Sequence, residues 1–509
     1  MAKKRTLPKI CQEAKMNFEG CELAILRSAI DEAEHIQSTK TQIGPEIKKI
    51  IEIVEQFLRH KKLICYGGSA INAVLPRNAQ FYDYEVEIPD YDFFSTDSVA
   101  DAKELADIYY KNGYKDVEAK SGVHSGTQKV YVNMIPIADI TLQNPIIFKE
   151  LQKDAVVIDG IHYCPPDFLR MGLYMELCRP RGDVSRWEKV LTRLILLNRH
   201  YPLKGKNCYT NSFQRKTEEY KEEESEKIYN IIRDVFMREN VVFFGGYALS
   251  IYSTYMPKRE QGIIQKIADF DVLTEDMNKT ARLVVEQLKQ NGFRNARAIP
   301  HIEVGEILPK HTEIRIGANE TVAFIYEPEE CVNYNVLKVS AGQDIRVATI
   351  DTILRYYLAF LYTKRPYYDK ERLICMSDFL FRVQQENRLE QRGVLHRFSM
   401  SCVGKQKTLE EIRAEKAEVF KKLKDKKTDP EYQKWFLRYI PAEGSKHEAV
   451  VRAPQEAVVR APQEAVVRAP QEAVVRAPQE AVVRATREKR FNRRRKHTRK
   501  NRKKSVYFY

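Results

Sequence analysis

Two stretches of this chain carry the same pattern of apolar and polar positions. In GPEIKKIIEIVEQFLRH (44–60), Ile47, Ile50, Ile51, Val54, Phe57 and Leu58 recur at helical spacing. The run LICYGGSAINAV (63–74) follows and predicts a short apolar strand, a Gly-Gly turn and an apolar helix. Further on, Ile228, Ile231, Ile232, Val235 and Phe236 repeat the stripe, and VVFFGGYALSIY (241–252) repeats the strand, turn and helix. Asp90-Tyr91-Asp92 begins 22 residues past Gly68, and Asp269-Phe270-Asp271 begins 23 past Gly246. Each is followed by a helix pattern ending in Asn-Gly-aromatic, at Asn112-Gly113-Tyr114 and Asn291-Gly292-Phe293. DFLRMGLYMEL (167–177) is answered by DTILRYYLAFL (351–361). The landmarks keep their order at offsets of 178 to 184 residues. A repeat of that length predicts a duplicated α/β (α+β) domain, with a mixed sheet and flanking helices, at 46–210 and 211–385.

The rest of the chain divides by composition. Residues 1–45 predict a short N-terminal helical extension. The join KGKNCYTNSFQRKTEEYKEEESEK is polar, as a linker is. Residues 386–447 are charged and helical in pattern. From 448 to 486 the chain repeats EAVVRAPQ, and a proline every eight residues interrupts any long helix, so this is a flexible linker. Residues 487–509 form a basic tail. Of the formal net charge of +15, Arg487–Lys504 carries +11, which leaves a mildly basic body. That balance suits a polyanionic partner without naming one. The nine cysteines are scattered, odd in number and without a CxxC pair, which predicts free thiols in a reducing compartment. No apolar run approaches the roughly 18 residues that span a membrane, and the N-terminus lacks the apolar middle of a signal peptide. The reading is an intracellular protein with no membrane partner.

Three pieces carry candidate chemistry. Gly67-Gly68-Ser69 sits between strand and helix, where glycines let phosphates approach backbone amides and a helix N-terminus favours negative charge. Ser69 can add a hydroxyl. In Asp90-Tyr91-Asp92 the two carboxylates project to one face of a strand, about 7 Å apart along it. Two such charges repel unless a divalent cation lies between them. Asp139 stands in KVYVNMIPIADITLQ, where Val130, Val132 and Met134 alternate as in a strand and Ile137, Ala138 and Ile140 surround the acid. A carboxylate there needs a partner, either a metal shared with Asp90 and Asp92 or a lysine.

The order of strand, GGS, helix, DxD and strand Asp is similar to that of the DNA polymerase β-like nucleotidyltransferases. Within them CYGGSAINAVLP, IPDYDFFS, VHSGTQKVYVNMIPIADIT and DVSRWEKVLTRLILLN resemble the poly(A) polymerase catalytic subunits of poxviruses and other nucleocytoplasmic large DNA viruses. The resemblance spans roughly 45–385. It implies two tandem nucleotidyltransferase-like domains, ATP as donor, an RNA 3′ end as acceptor, no template, and two Mg2+ or Mn2+ ions. Asp90 and Asp92 would bind both ions and Asp139 the one nearer the attacking hydroxyl. Gly67, Gly68 and Ser69 would hold the phosphates, and Thr127 and Lys129 are candidates for contacting ATP. A virus of this kind works in a cytoplasmic replication compartment, and packaging in the particle is a further expectation.

Poxvirus subunits carry an additional N-terminal domain for which the stretch before 46 leaves no room, so a homodimer could take the place of their processivity partner. In the second copy Gly245-Gly246-Tyr247 replaces the serine, Asp269 and Asp271 are kept, and Phe324 falls where Asp139 should be. That domain is expected to be catalytically dead and to serve RNA binding or structure. Arg355, Tyr356, Tyr357, Tyr362, Lys364, Arg365, Tyr367, Tyr368 and Arg372 mix cations and aromatics as single-stranded RNA sites do, although helically spaced tyrosines equally fit a core. From these Arg355, Lys364 and Arg365 are taken as RNA-binding candidates. Trp187, with Val190, Leu191 and Leu194, reads as packing. The rivals are uridylate or CCA addition, oligoadenylate synthesis, and a non-catalytic RNA-binding scaffold.

Overall fold

Each repeat opens on an amphipathic helix that lays its stripe on a sheet. In the first, α1 (Pro45–Lys61) buries Ile50, Val54, Phe57 and Leu58, then turns through Lys62, left-handed at φ 52°, into β1 (Ile64–Cys65) and α2 (Gly67–Val74). In the second, α7 (Glu222–Arg238) buries Ile228, Ile232, Val235 and Phe236 before β8 (Val242–Phe243) and α8 (Gly246–Ser253). The computed structural model describes residues 20–29, 44–82, 88–206, 208, 213, 220–261, 269–339, 344–387 and 390–441. Most of the N-terminal extension, the repeat linker 448–486 and the basic tail 487–509 lie outside the described residues. Residues 20–29 are helical.

The first half continues through β2 (Tyr91–Ser95), α3 (Ser98–Lys111), β3 (Val117–Ser121), β4 (Thr127–Val132), β5 (Ile135–Leu142), α4 (Pro145–Asp154), β6 (Val156–Ile158), β7 (Ile161–Tyr163), α5 (Pro166–Leu177) and α6 (Trp187–His200). The second runs through a one-turn α9 (Lys258–Gln261), β9 (Phe270–Leu273), α10 (Met277–Gln290), β10 (Arg297–His301), β11 (His311–Ile316), β12 (Glu320–Tyr326), β13 (Val332–Lys338), β14 (Asp344–Ala348), α11 (Ile350–Phe360) and α12 (Lys370–Asn387). A C-terminal segment adds β15 (Cys402–Val403), α13 (Leu409–Leu423), α14 (Pro430–Phe436) and β16 (Arg438–Tyr439).

The sheet orders are β16-β3-β4-β5-β2-β1-β7-β6 and β10-β11-β12-β9-β8-β14-β13-β15. Without the last two strands they are one topology written twice. β1 and β8 run antiparallel to β2 and β9, which run parallel to β5 and β12. The shared Asn-Gly-aromatic signals are helix ends. Gly113 (φ +95°) and Gly292 (φ +104°) take the left-handed conformation after the C-caps Asn112 and Asn291, and the next residues fold back onto Tyr109 and Leu288.

Three expectations need correction. Residues 129–143 are not one strand: Asn133 (φ 51°) and Met134 (φ 67°) form the two-residue turn of the β4–β5 hairpin, and Met134 is exposed. Residues 386–447 are not helical throughout, because β15 extends the second sheet and β16 extends the first at its far edge. The cysteines are not all free: Cys208–Cys375 and Cys331–Cys402 are disulfides and Cys21 is also disulfide-bonded, while Cys65, Cys164 and Cys178 are buried thiols. Distance along the chain hid these pairs, whose partners stand 167 and 71 positions apart. Among the described residues no helix is long and apolar enough to cross a membrane.

The halves pack through α5 and α11, with Phe168 edge-on to Tyr362 at 5.2 Å. Asn333 N–H donates to the Cys178 carbonyl (2.8 Å), and Arg179 pairs with Glu330 (2.5 Å). Asp351, fully buried on α11, accepts two hydrogen bonds from Arg397 at 2.8 and 3.0 Å and one from Gln384 at 3.2 Å. Removing the cation would strand that carboxylate without water. Arg397→Met is expected to lower unfolding free energy by about 3–5 kcal/mol, read from urea denaturation of the purified chain.

Candidate functional site

The three aspartates named from the sequence meet on two neighbouring strands. Asp90 stands just before β2 and Asp92 is its second residue. Asp139 lies in the middle of β5, and the parallel register sets Asp92 directly opposite it. Lys129 on β4 is opposite Asp139 on the other side, and its ammonium is ion-paired with that carboxylate. Strand pairing alone therefore places Asp92, Asp139 and Lys129 in one row across the sheet.

The glycine turn presses on the same row. Gly67 has φ +74°, and a Cβ there would collide with the Asp92 carboxylate. Tyr66 N–H donates to the Asp92 carbonyl at 2.9 Å, which ties the turn to β2. Ser69 is buried, and its hydroxyl donates to the Asp90 carbonyl at 2.7 Å. It holds the aspartate loop, so its proton is committed before any ligand arrives. Thr127 shares a hydroxyl contact with Thr141 (3.1 Å), which also meets the Tyr66 hydroxyl (2.9 Å). Thr127, Lys129 and Asp139 thus line one wall of the site.

The electrostatics are those of crowded anions. Asp92 is pushed up to about 7, first by burial and then by Asp90 and Asp139, with Lys129 and Arg186 opposing. Asp90 is raised by loss of water and then by Asp139, again against Lys129. Burial alone would lower Lys129, but its hydrogen bond to and the charge of Asp139, helped by Tyr131 and Asp90, raise it. Carboxylate oxygens on adjacent strands suit a hard divalent ion, and the raised acids show that the protein alone does not neutralise them. The donors do not form a ready-made cage: no choice of one oxygen from each aspartate lies within 4.8 Å of both others. Asp139 leans on Lys129 instead.

The second copy shows what the first would be without this chemistry. Phe324 pairs in register with Asp271, where Asp139 pairs with Asp92. Glu313 stands opposite Phe324, in the place of Lys129. Tyr247 replaces Ser69 and packs among Tyr229, Phe243 and Phe270. Phe324 packs on Tyr367 at 4.8 Å, and the Tyr367 hydroxyl meets His311 Nε2 at 2.7 Å. Burial lowers His311 to about 4, so it is neutral.

The RNA-binding candidates separate. Arg355 is a correction: it is 2% exposed inside α11, stacked on Tyr356 and paired with Glu330, so no RNA can reach it. Tyr356, Tyr357 and Tyr362 are core. Lys364 is exposed, and Arg365 donates to the Ile302 carbonyl at 3.2 Å. Trp187 packs against Phe398. Sequence reasoning missed Arg186, whose charge works against the rise of Asp92, and Arg193, whose guanidinium stands over Gly68. The available signal was Arg193 inside the apolar stripe Val190, Leu194, Leu197.

Fold and site define one α/β topology present twice, with Asp139 and Lys129 beside the paired aspartate in the first copy and Phe324 and Glu313 in the second. Residues 52–183 match the family described as Poly(A) polymerase catalytic subunit. A protein described as that subunit from African swine fever virus (strain Badajoz 1971 Vero-adapted) is 37% identical over 164 residues, 31% of this chain and 34% of its own length. One from Acanthamoeba polyphaga mimivirus is 31% identical over 163 residues, 31% of this chain and 27% of its own. These matches span about a third of the curated relatives or less. The crystal structure of the Megavirus polyadenylate synthase shares the fold, with a TM-score of 0.67 over 83% of this chain and 86% of that one at 20% identity. The resemblance to giant-virus-type poly(A) polymerase catalytic subunits is borne out.

An acid whose pKa folding has raised is ionised at a cost. Stability should therefore fall as pH rises from the ordinary carboxylate range, about 3.9, through about 7. In EDTA, Asp92→Asn is expected to melt above the unaltered protein at pH 8, with the gap closing by about pH 4. Differential scanning calorimetry across that range checks both sign and window.

Proposed function

We propose that the chain is a template-independent polynucleotide adenylyltransferase that extends RNA 3′ ends from ATP. The observation that carries this reading is the row Asp92–Asp139–Lys129 beneath the Gly67–Gly68 turn, present in the first copy and replaced in the second. Asp90, Asp92 and Asp139 would hold Mg2+ or Mn2+. Bound there, divalent ions make the acceptor hydroxyl more acidic and steady the departing pyrophosphate.

The chain's own residues do the rest. The Gly67–Gly68 amides, at the N-terminal end of α2, offer donors and a favourable dipole to the phosphates. Ser69 fixes the loop that carries Asp90. Lys129 holds Asp139 in line with Asp92 until the phosphates bring their own charge. The acceptor hydroxyl loses its proton to solvent, its oxygen bonds to the α-phosphorus as the bond from that phosphorus to the oxygen bridging the β-phosphorus breaks, and pyrophosphate departs. The choice of adenylate over other nucleotides rests on what the relatives are named for, because three carboxylates do not read a base.

An unstructured RNA primer with each NTP separately, in Mg2+ or Mn2+, tests this. The expected result is a long ladder with ATP alone, lost by at least about a hundredfold in Asp90→Ala/Asp92→Ala. No extension by folded protein with any NTP would favour the non-catalytic scaffold. Asp269→Ala should keep rates within about threefold. Abolished extension in a folded Asp269→Ala protein would return the second copy to the chemistry.

A further inference from the structure

Arg193 is a buried cation with no anion beside it among the described residues. It projects from α6, after the family match has ended, and is 8% exposed. Both Nη nitrogens lie 3.1 Å from where a Cβ on Gly68 would sit, and the Tyr82 hydroxyl lies 2.8 Å from that point. Nη2 donates to the Tyr82 hydroxyl at 2.6 Å, and the guanidinium plane is flanked by Phe81 (4.9 Å) and Tyr82 (5.6 Å). No carboxylate pairs with it, and Nε and Nη1 have no protein acceptor among the described residues. Buried guanidinium groups are ordinarily matched by an acid.

The surroundings hold it in place. Asn72 on α2 is fully buried, and its Oδ1 accepts from Phe81 N–H (2.7 Å) and Tyr82 N–H (2.9 Å). That pins the loop so the tyrosine hydroxyl returns over the turn from which α2 starts. The aromatic faces orient the planar fork without neutralising it. The Ser69 hydroxyl already serves the Asp90 carbonyl, and Arg193 brings a charged donor to the glycine turn.

We propose that Arg193, positioned by Tyr82 and Asn72, contacts the β- and γ-phosphates of the nucleotide at Gly68. This rests on the nucleotidyl-transfer reading above. The fork provides what a backbone turn lacks: full charge and paired donors for phosphate oxygens. Asp92 stands against Gly67 and Arg193 against Gly68, so the triphosphate would run between carboxylate and guanidinium.

Isothermal titration of the full chain in EDTA with inorganic tripolyphosphate, and in Mg2+ with ATP and AMP, tests the assignment. Arg193→Met should weaken tripolyphosphate and ATP by about tenfold or more, while AMP and an RNA primer stay within about twofold. Arg193→Lys should recover part of the loss. In extension assays KM for ATP should rise more than kcat falls. Should Arg193→Met melt early, the comparison is read from Arg193→Gln, which keeps a hydrogen-bond donor without charge. Unchanged ATP affinity in a folded neutral variant, with the unaltered chain still extending primers, overturns the role of Arg193 alone. Absence of both binding and extension in the unaltered chain would bring down the polymerase reading and this one with it.

Discussion

The structure turns on one close approach: a glycine turn pressed against an aspartate carboxylate on the next strand. Gly67 sits so near Asp92 that no larger side chain fits, and Gly245 is equally close to Asp271. In both copies the turn is tied by hydrogen bonds to that aspartate's carbonyl, from Tyr66 in one and from Phe244 and Gly245 in the other. The contact is therefore a property of the fold, kept whether or not chemistry is done. It brings the start of a helix to within reach of a carboxylate. That is an unfavourable place for a lone acid and a favourable one for a phosphate bridged to it by a cation.

What distinguishes the copies is the strand beside the aspartate. The register that sets Asp139 opposite Asp92 sets Phe324 opposite Asp271, and Lys129 gives way to Glu313. An acid in this row needs a neighbouring cation, whereas a phenylalanine needs only apolar company, and Tyr367 supplies it. The second copy fills that place with aromatic packing. The first keeps three acids together, and Asp92 is raised to about 7, first by burial and then by Asp90 and Asp139.

Features fixed by backbone geometry were legible in the sequence, because only certain residues satisfy them. The Gly-Gly turns, the Asn-Gly helix ends and the paired aspartates recur for that reason, and they were enough to predict two similar sheets. Features that depend on one residue or two were not. Strands β15 and β16 are two residues long, too short for any period to show. Met134 continued an alternation that the positive φ of Asn133 had already ended. Arg355 looked like an RNA contact because cations sit near it in sequence. Yet α11 is buried along its whole length, and a helix buried all round turns its one arginine inward.

Arg355 and Arg193 make an instructive pair, since both are arginines inside apolar helical stripes and neither stripe distinguishes them. Their partners do. Arg355 has Glu330 beside it and closes a joint between the halves, with Arg179 reaching the same glutamate from the other side. Arg193 has aromatic faces, one hydroxyl and a glycine, and among the described residues no acid. A buried charge whose counter-ion comes from the same chain stabilises that chain. Arg193, with no acid beside it among the described residues and its guanidinium against Gly68, would in the proposed reading do its neutralising when the nucleotide's phosphates arrive.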